Sequence, residues 1–268
     1  MKTITSEKRK VRPVKSLANA LRILEILATY QDGIGVSELA RQTKQSKTAV
    51  YNVLRTFELY GYVKYIPQTE QYRLGWRVYE IASIFASNFD LFQIIRPAMA
   101  RLVQQSGETV LIGTLDGGEA VYIDQYESPN PLRFSTNRGG RIPLHSTATG
   151  KALLAFQPAD YIDKIIEQGL ERFTDYTIVD GDKLREELGK IRAQGFAECL
   201  LEHVLDHCSV AAPVRNRHGQ VEYALVLVGP TSRFKDKIGE MTPLLLEEAQ
   251  ALERELGMTS GAAKQNGR

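Results

Sequence analysis

A chain of 268 residues is long for one domain and comfortable for two, and its 43% hydrophobic and 25% charged residues describe an ordinary soluble globular protein. No apolar run approaches the roughly 18–20 residues of a membrane span, the N-terminus shows no hydrophobic signal core, and two cysteines make no disulfide framework, so the expectation is a cytoplasmic protein without membrane partners. The net charge of +2 hides a division: residues 1–76 carry 13 Lys+Arg against 6 Asp+Glu (+7), and residues 77–268 carry the other 21 against 26 (−5), as a polyanion-binding module joined to a separate domain would.

Residues 1–13 read as a disordered basic arm holding Lys2, Lys8, Arg9, Lys10 and Arg12. Such an arm either follows phosphates and enters a minor groove or merely keeps the protein soluble. The spacing Leu17, Leu21, Leu24, Leu27, Ala28 predicts a first helix closed by the Asp32-Gly33 turn. Two short periodic segments then flank a polar break at 43–46. Val36, Leu39 and Ala40 mark one helical face, and Val50, Val53, Leu54 and Phe57 mark the next. Ser46 suits the N-cap of the second helix and Ser37 that of the first. On its other side the second helix presents Lys47, Thr48, Tyr51, Asn52 and Arg55, each able to donate a hydrogen bond or meet a phosphate. Two helices joined by a three- or four-residue turn, the second polar and basic outward, form the helix-turn-helix pattern. Strands at 62–66 and 71–74, around a turn at 67–70, add a wing, so residues 14–75 read as a winged helix-turn-helix.

Residues 76–90 predict a linker helix with an apolar stripe of Val78, Ile81, Ala82 and Phe85, to be covered by a partner subunit or by its own domain. A helix at 92–105 stops at Ser106-Gly107. Strands are expected at 108–115, 119–127 and 132–137, helices at 146–156, 159–168 and 181–194, then strands at 196–201, 209–215 and 221–227. A helix at 234–256 closes the domain on Ile238, Met241, Leu245, Ala249 and Leu252, before a disordered tail at 258–268. Hairpin strands with helices beside them make residues 91–257 an antiparallel-sheet domain, and the whole chain an α+β two-domain protein.

The loop 139–151 is dense in small residues and runs into a helix that Ser146 can cap. Free backbone N–H groups there suit a carboxylate or phosphate, with the hydroxyls of Ser146, Thr147 and Thr149 completing the shell. The alternative is that small residues only permit close helix–sheet packing. The spacing is no Walker loop, so nucleotide hydrolysis has no support. Cys199, His203 and His207 would share a face and hold zinc only on a helix, whereas 196–201 reads as a strand, so no metal is expected. Neither thiol comes with a signature that supplies a base and an orienting group, so no catalytic residue and no cofactor is expected.

Ordered segments run through about residues 14–257: SLANALRILEILA (16–28), VSELARQT (36–43), KTAVYNVLRTFELYGYV (47–63), YRLG (72–75), GETVLIGTLDGGEAVYID (107–124), PLRFSTNRGGRIPLHSTATGKALLAF (131–156), GFAE (195–198), VAAPV (210–214) and GPTSR (229–233). On these segments the chain resembles the IclR-type bacterial transcriptional regulators. The resemblance implies a GAF-like effector-binding domain behind the winged helix, homodimers or homotetramers on double-stranded promoter DNA, and repression altered by a small organic, sugar or aromatic acid. The family's effector positions match Ala148, Thr149, Cys199 and Ser209. Cys199 stands where many members carry Asp, and Ser209 where many carry Cys, so effector identity does not carry over. Asn52 stands where members often have Arg. Asn pairs with adenine and Arg with guanine, so the operator is expected to differ. Gln68 and Arg73 on the wing are expected to add DNA contacts. A transcriptional activator of the same architecture, a ligand-free architectural DNA-binding protein and an enzyme acting on a small carboxylate are the competing readings.

Overall fold

The structure is a computed structural model that describes residues 13–87, 91–216 and 218–262. The chain divides into two compact units, Met1–Phe89 and Asp90–Arg268.

The first unit runs α1 (Lys15–Ala28), α2 (Val36–Thr43), α3 (Lys47–Leu59), a hairpin of β1 (Val63–Ile66) and β2 (Gln71–Leu74), then α4 (Trp76–Ser87). Its core joins Ile23 and Leu27 of α1 to Leu39, Ala40, Val50, Leu54, Val63 and Tyr72. The face of α1 differs from the expected one. Leu17 and Leu21 are 58% and 50% exposed, and Ile23 takes the buried place. Only the C-terminal half of α1 reaches the core, so a leucine repeat that runs the whole helix overstates its buried stripe.

Ser46 caps α3 by accepting the Ala49 N–H at 3.2 Å, an interaction worth about 1 kcal/mol. Ser37 does not cap α2, because the helix already starts at Val36 after Gly35. Ile34 and Tyr72 exchange backbone hydrogen bonds at 2.9 Å, pinning the wing to the turn before α2. A Cβ on Gly75 would lie 2.2 Å from the Gly61 carbonyl oxygen, so the wing can return against the end of α3 only with glycine there. Of the stripe on α4, Ile81 and Ala82 are exposed and Val78 is half-buried, and the Phe85 side chain lies outside the described residues.

The second unit is a six-stranded antiparallel sheet ordered β5-β4-β3-β8-β7-β6: β3 (Thr109–Asp116), β4 (Glu119–Tyr126), β5 (Arg141–Ile142), β6 (Ala197–Leu200), β7 (His207–Arg215) and β8 (Val221–Pro230). One face packs under α6 (Ala148–Leu154), α7 (Ala159–Glu167) and α8 (Gly181–Gln194). The other packs on α5 (Leu91–Ser106) and α10 (Ile238–Ala262), which follows the single turn α9 (Thr231–Phe234) and a short 3-10 turn.

Residues 132–137 are not the expected strand. Thr109 Oγ1 donates to the Phe134 carbonyl, Arg133 and Ser135 bond Glu127, and Arg138 bonds Asp124, so side chains hold the segment and residues 141–142 supply the edge strand instead. The closing helix is split by the turn at 235–237, and α10 continues to Ala262, into what was expected to be tail. The basic arm through residue 12 and the tail from 263 lie outside the described residues.

Candidate functional site

On α3, burial of Val50 and Leu54 turns the opposite side outward, and Lys47, Thr48, Tyr51, Asn52 and Arg55 are all exposed. Asn52 gives its backbone carbonyl to Thr56 Oγ1 at 2.9 Å, and its carboxamide has no protein partner among the described residues. Arg55 donates to Glu58 at 2.6 Å. Between residues 35–37 at the start of α2, the Tyr51 and Arg55 side of α3 and the Tyr65–Tyr72 face of the wing lies a cleft of about 580 Å3. Gln68 and Arg73 are exposed on the wing. Sequence reasoning missed Lys64, which pairs directly across from Arg73. Two cations opposite one another repel, and a polyanion relieves that repulsion. The signal was available, since 64 and 73 are equidistant from the turn.

In the second unit the 139–151 loop is built around Thr147, not Ser146. Thr147 Oγ1 accepts the Gly150 N–H at 3.0 Å and donates to the Pro143 carbonyl at 2.8 Å, so this hydroxyl is the cap of α6 and is used in both directions. Ser146 instead meets the 199–203 segment: its carbonyl accepts the Cys199 thiol at 3.2 Å, and its Oγ lies 3.4 Å from His203 Nδ1. Gly113 lets α6 settle on the sheet, since a Cβ there would lie 2.7 Å from the Thr149 methyl. Burial pushes the Tyr122 phenol up to about 12, with the Thr149 side chain acting in the opposite direction. Cys199 and Ser209 are direct partners across β6 and β7. Ser146, Ala148, Thr149 and Cys199 thus converge where α6 meets the sheet, all at most 5% exposed, and Thr147 is 6% exposed. Ser209 is half-buried.

Lys151, one turn into α6, is 1% exposed and donates to Glu202 at 2.6 Å and Glu187 at 3.1 Å. A lysine inside a glycine-rich stretch gives no sequence signal for this, because its partners lie 36 and 51 residues away. Burial, then Glu202, pushes the Cys199 thiol up, and burial pushes Cys208 up to about 11. A reactive thiol needs the opposite shift. Cys199 packs on the helix α6 side of the sheet and Cys208 on the α5 and α10 side, while His203 meets Phe173 edge-on and His207 meets Phe134 edge-on. The two sulfur atoms therefore lie on opposite faces of the sheet.

The family model described as bacterial transcriptional regulator IclR C-terminal matches residues 84–254, and that described as IclR helix-turn-helix domain matches residues 16–67. The HTH-type transcriptional regulator KdgR of Escherichia coli is 33% identical, over 91% of this chain and 93% of its own. Transcriptional repressor IclR of the same organism is 29% identical over 88% of each. Among solved structures, an IclR transcriptional regulator from Alicyclobacillus acidocaldarius superposes with a TM-score of 0.81 at 25% identity, covering 92% of this chain and 100% of that one. An IclR homolog from Microbacterium hydrocarbonoxydans, solved as a complex with 4-hydroxybenzoate, has the same fold (TM-score 0.80, 23% identity, 90% and 98% covered).

Proposed function

Because this chain belongs to the IclR family of bacterial transcriptional regulators, it is a DNA-binding regulator of transcription, and we propose that it represses catabolic genes until a small organic, sugar or aromatic acid binds its second unit. The observation that carries the DNA half is α3: capped at Ser46, anchored by Val50 and Leu54, and polar from Lys47 to Arg55 on the free side. A homodimer or homotetramer sets two such helices in successive major grooves of a near-palindromic site. Asn52 reads adenine there, Lys47, Thr48, Tyr51 and Arg55 make base and phosphate contacts, and Gln68 and Arg73 hold phosphates from the wing. Ser146, Thr147, Ala148, Thr149, Cys199 and Ser209 surround the effector. Thr147 contributes through the turn that its side chain closes. Effector binding shifts an equilibrium between DNA-binding geometries through α4. The protein works as a regulator in the cytoplasm, without catalysis.

The test is operator selection from random duplexes, followed by fluorescence anisotropy with and without a panel of sugar acids, keto acids and aromatic acids that includes 4-hydroxybenzoate. Enrichment of a two-fold-symmetric sequence, and loss of binding with one acid, is the expected result. Failure to enrich any sequence overturns the base-reading role. Tighter binding with the acid favours the activator.

A further inference from the structure

Of the residues proposed to meet the effector, all but the half-buried Ser209 are closed off from solvent, so a ligand reaches Ser146 and Cys199 only if some covering segment moves. Residues 201–206, between β6 and β7, cover them from one side: His203 stands against Ser146 and packs edge-on to Phe173 at 4.6 Å between ring centres. What ties this bend down is polar. Thr174 Oγ1 donates to the Leu201 carbonyl and Thr177 Oγ1 to the Glu202 carbonyl, both at 2.6 Å. Thr231 donates through its N–H to Asp206 at 2.8 Å and through its hydroxyl to Leu205 at 3.1 Å. The one charged tie among the described residues is Lys151 to Glu202.

Apolar burial contributes little, since Val204 and Leu205 are 41% and 57% exposed. Leu201 has φ +68, a left-handed conformation that a branched side chain disfavours and that persists only where the surroundings impose it. Among the described residues the second oxygen of the Glu202 carboxylate is buried without a hydrogen-bond partner, and Lys151 is the cation that holds the first. A segment held by a few polar ties over a strained residue opens at lower cost than the strands beside it.

We propose that residues 201–206 are a clasp over the effector site and that Glu202, through Lys151, is the positioning residue that keeps it shut. The effector enters when the clasp lifts and is enclosed when it closes. This rests on the reading of Ser146, Thr149 and Cys199 as effector contacts.

Hydrogen–deuterium exchange of the full-length protein tests it. In Glu202→Gln, amides of 200–207 should exchange at least about tenfold faster, while peptides across 148–154 and 221–230 keep their wild-type rates. Should that variant fail to fold, Lys151→Met with Glu202→Met removes both buried charges together and should show the same local acceleration. Uniform acceleration across the unit, or none, overturns the clasp. On the wild type, 4-hydroxybenzoate or another acid of the panel that binds should slow exchange at 200–207, and protection confined to 131–140 also overturns it. If no acid binds while the local acceleration persists, the effector reading fails and the clasp stands as an opening element.

Discussion

Arg55 and Glu58 form an ion pair along α3, with Nη1 2.6 Å from the carboxylate, so the cation is already partnered before any DNA arrives. An exposed pair one turn apart contributes only about 0.3–0.5 kcal/mol to the fold, so its removal is tolerated. Glu58→Gln frees Arg55 for a phosphate. Binding to any duplex should tighten about threefold at low salt, because Arg55 then meets its phosphate without giving up a protein partner. Anisotropy titrations across a salt series check this. An affinity unchanged at low salt would place Arg55 outside the interface.

Asn52→Ala should weaken binding to the selected operator by about 1–3 kcal/mol and leave binding to random DNA nearly unchanged, because only the base contact is lost. Competition between the two duplexes gives the answer directly. Equal losses on both would assign Asn52 to the backbone.

Gly75→Ala places a methyl 2.2 Å from a carbonyl oxygen of Gly61, and neither partner is a side chain that can rotate away. The first unit should lose about 1–3 kcal/mol or more. Because the chain forms two units, denaturant unfolding should show the loss in the transition that reports the first unit, with the second unmoved.

Burial, then the neighbouring His145, holds His203 below its ordinary 6.5, and burial does the same to His207. A histidine depressed in the fold favours the folded state in its neutral form. Its contribution is complete above about pH 6.5 and is lost as pH falls through the folded values. The second unit should therefore melt progressively lower below pH 6.5. In His203→Gln with His207→Gln that decline should flatten; an equal decline in the variant would assign the acid sensitivity to other groups.

Local rules carried most of the architecture. Ser46 as a cap, the Val50–Leu54 spacing and the turn at 67–70 depend on neighbours a few residues away, and the elements they predict formed. What stayed illegible depends on distance along the chain. Ile23 replaces Leu17 in the core because of where α1 ends against α2 and the wing. Residues 132–137 have strand-like residues, yet Glu127, Asp124 and Thr109 take their bonding groups. In the candidate site, adjacent hydroxyls at 146 and 147 look interchangeable in sequence. Only geometry assigns one to the cap and the other to Cys199 and His203. The buried Lys151–Glu202 pair lies furthest from view, since lysine in a polar loop ordinarily reads as solvated.

Trp76 is the only tryptophan in the chain, and at the start of α4 it is 76% exposed with Tyr79 set edge-on against it. An indole so placed emits as if in water, and its emission moves to shorter wavelength once anything covers it. The protein thus carries its own optical reporter at the junction of wing and α4. Assembly or DNA binding that reaches that junction becomes visible without a label, while the second unit, which holds no indole, stays dark.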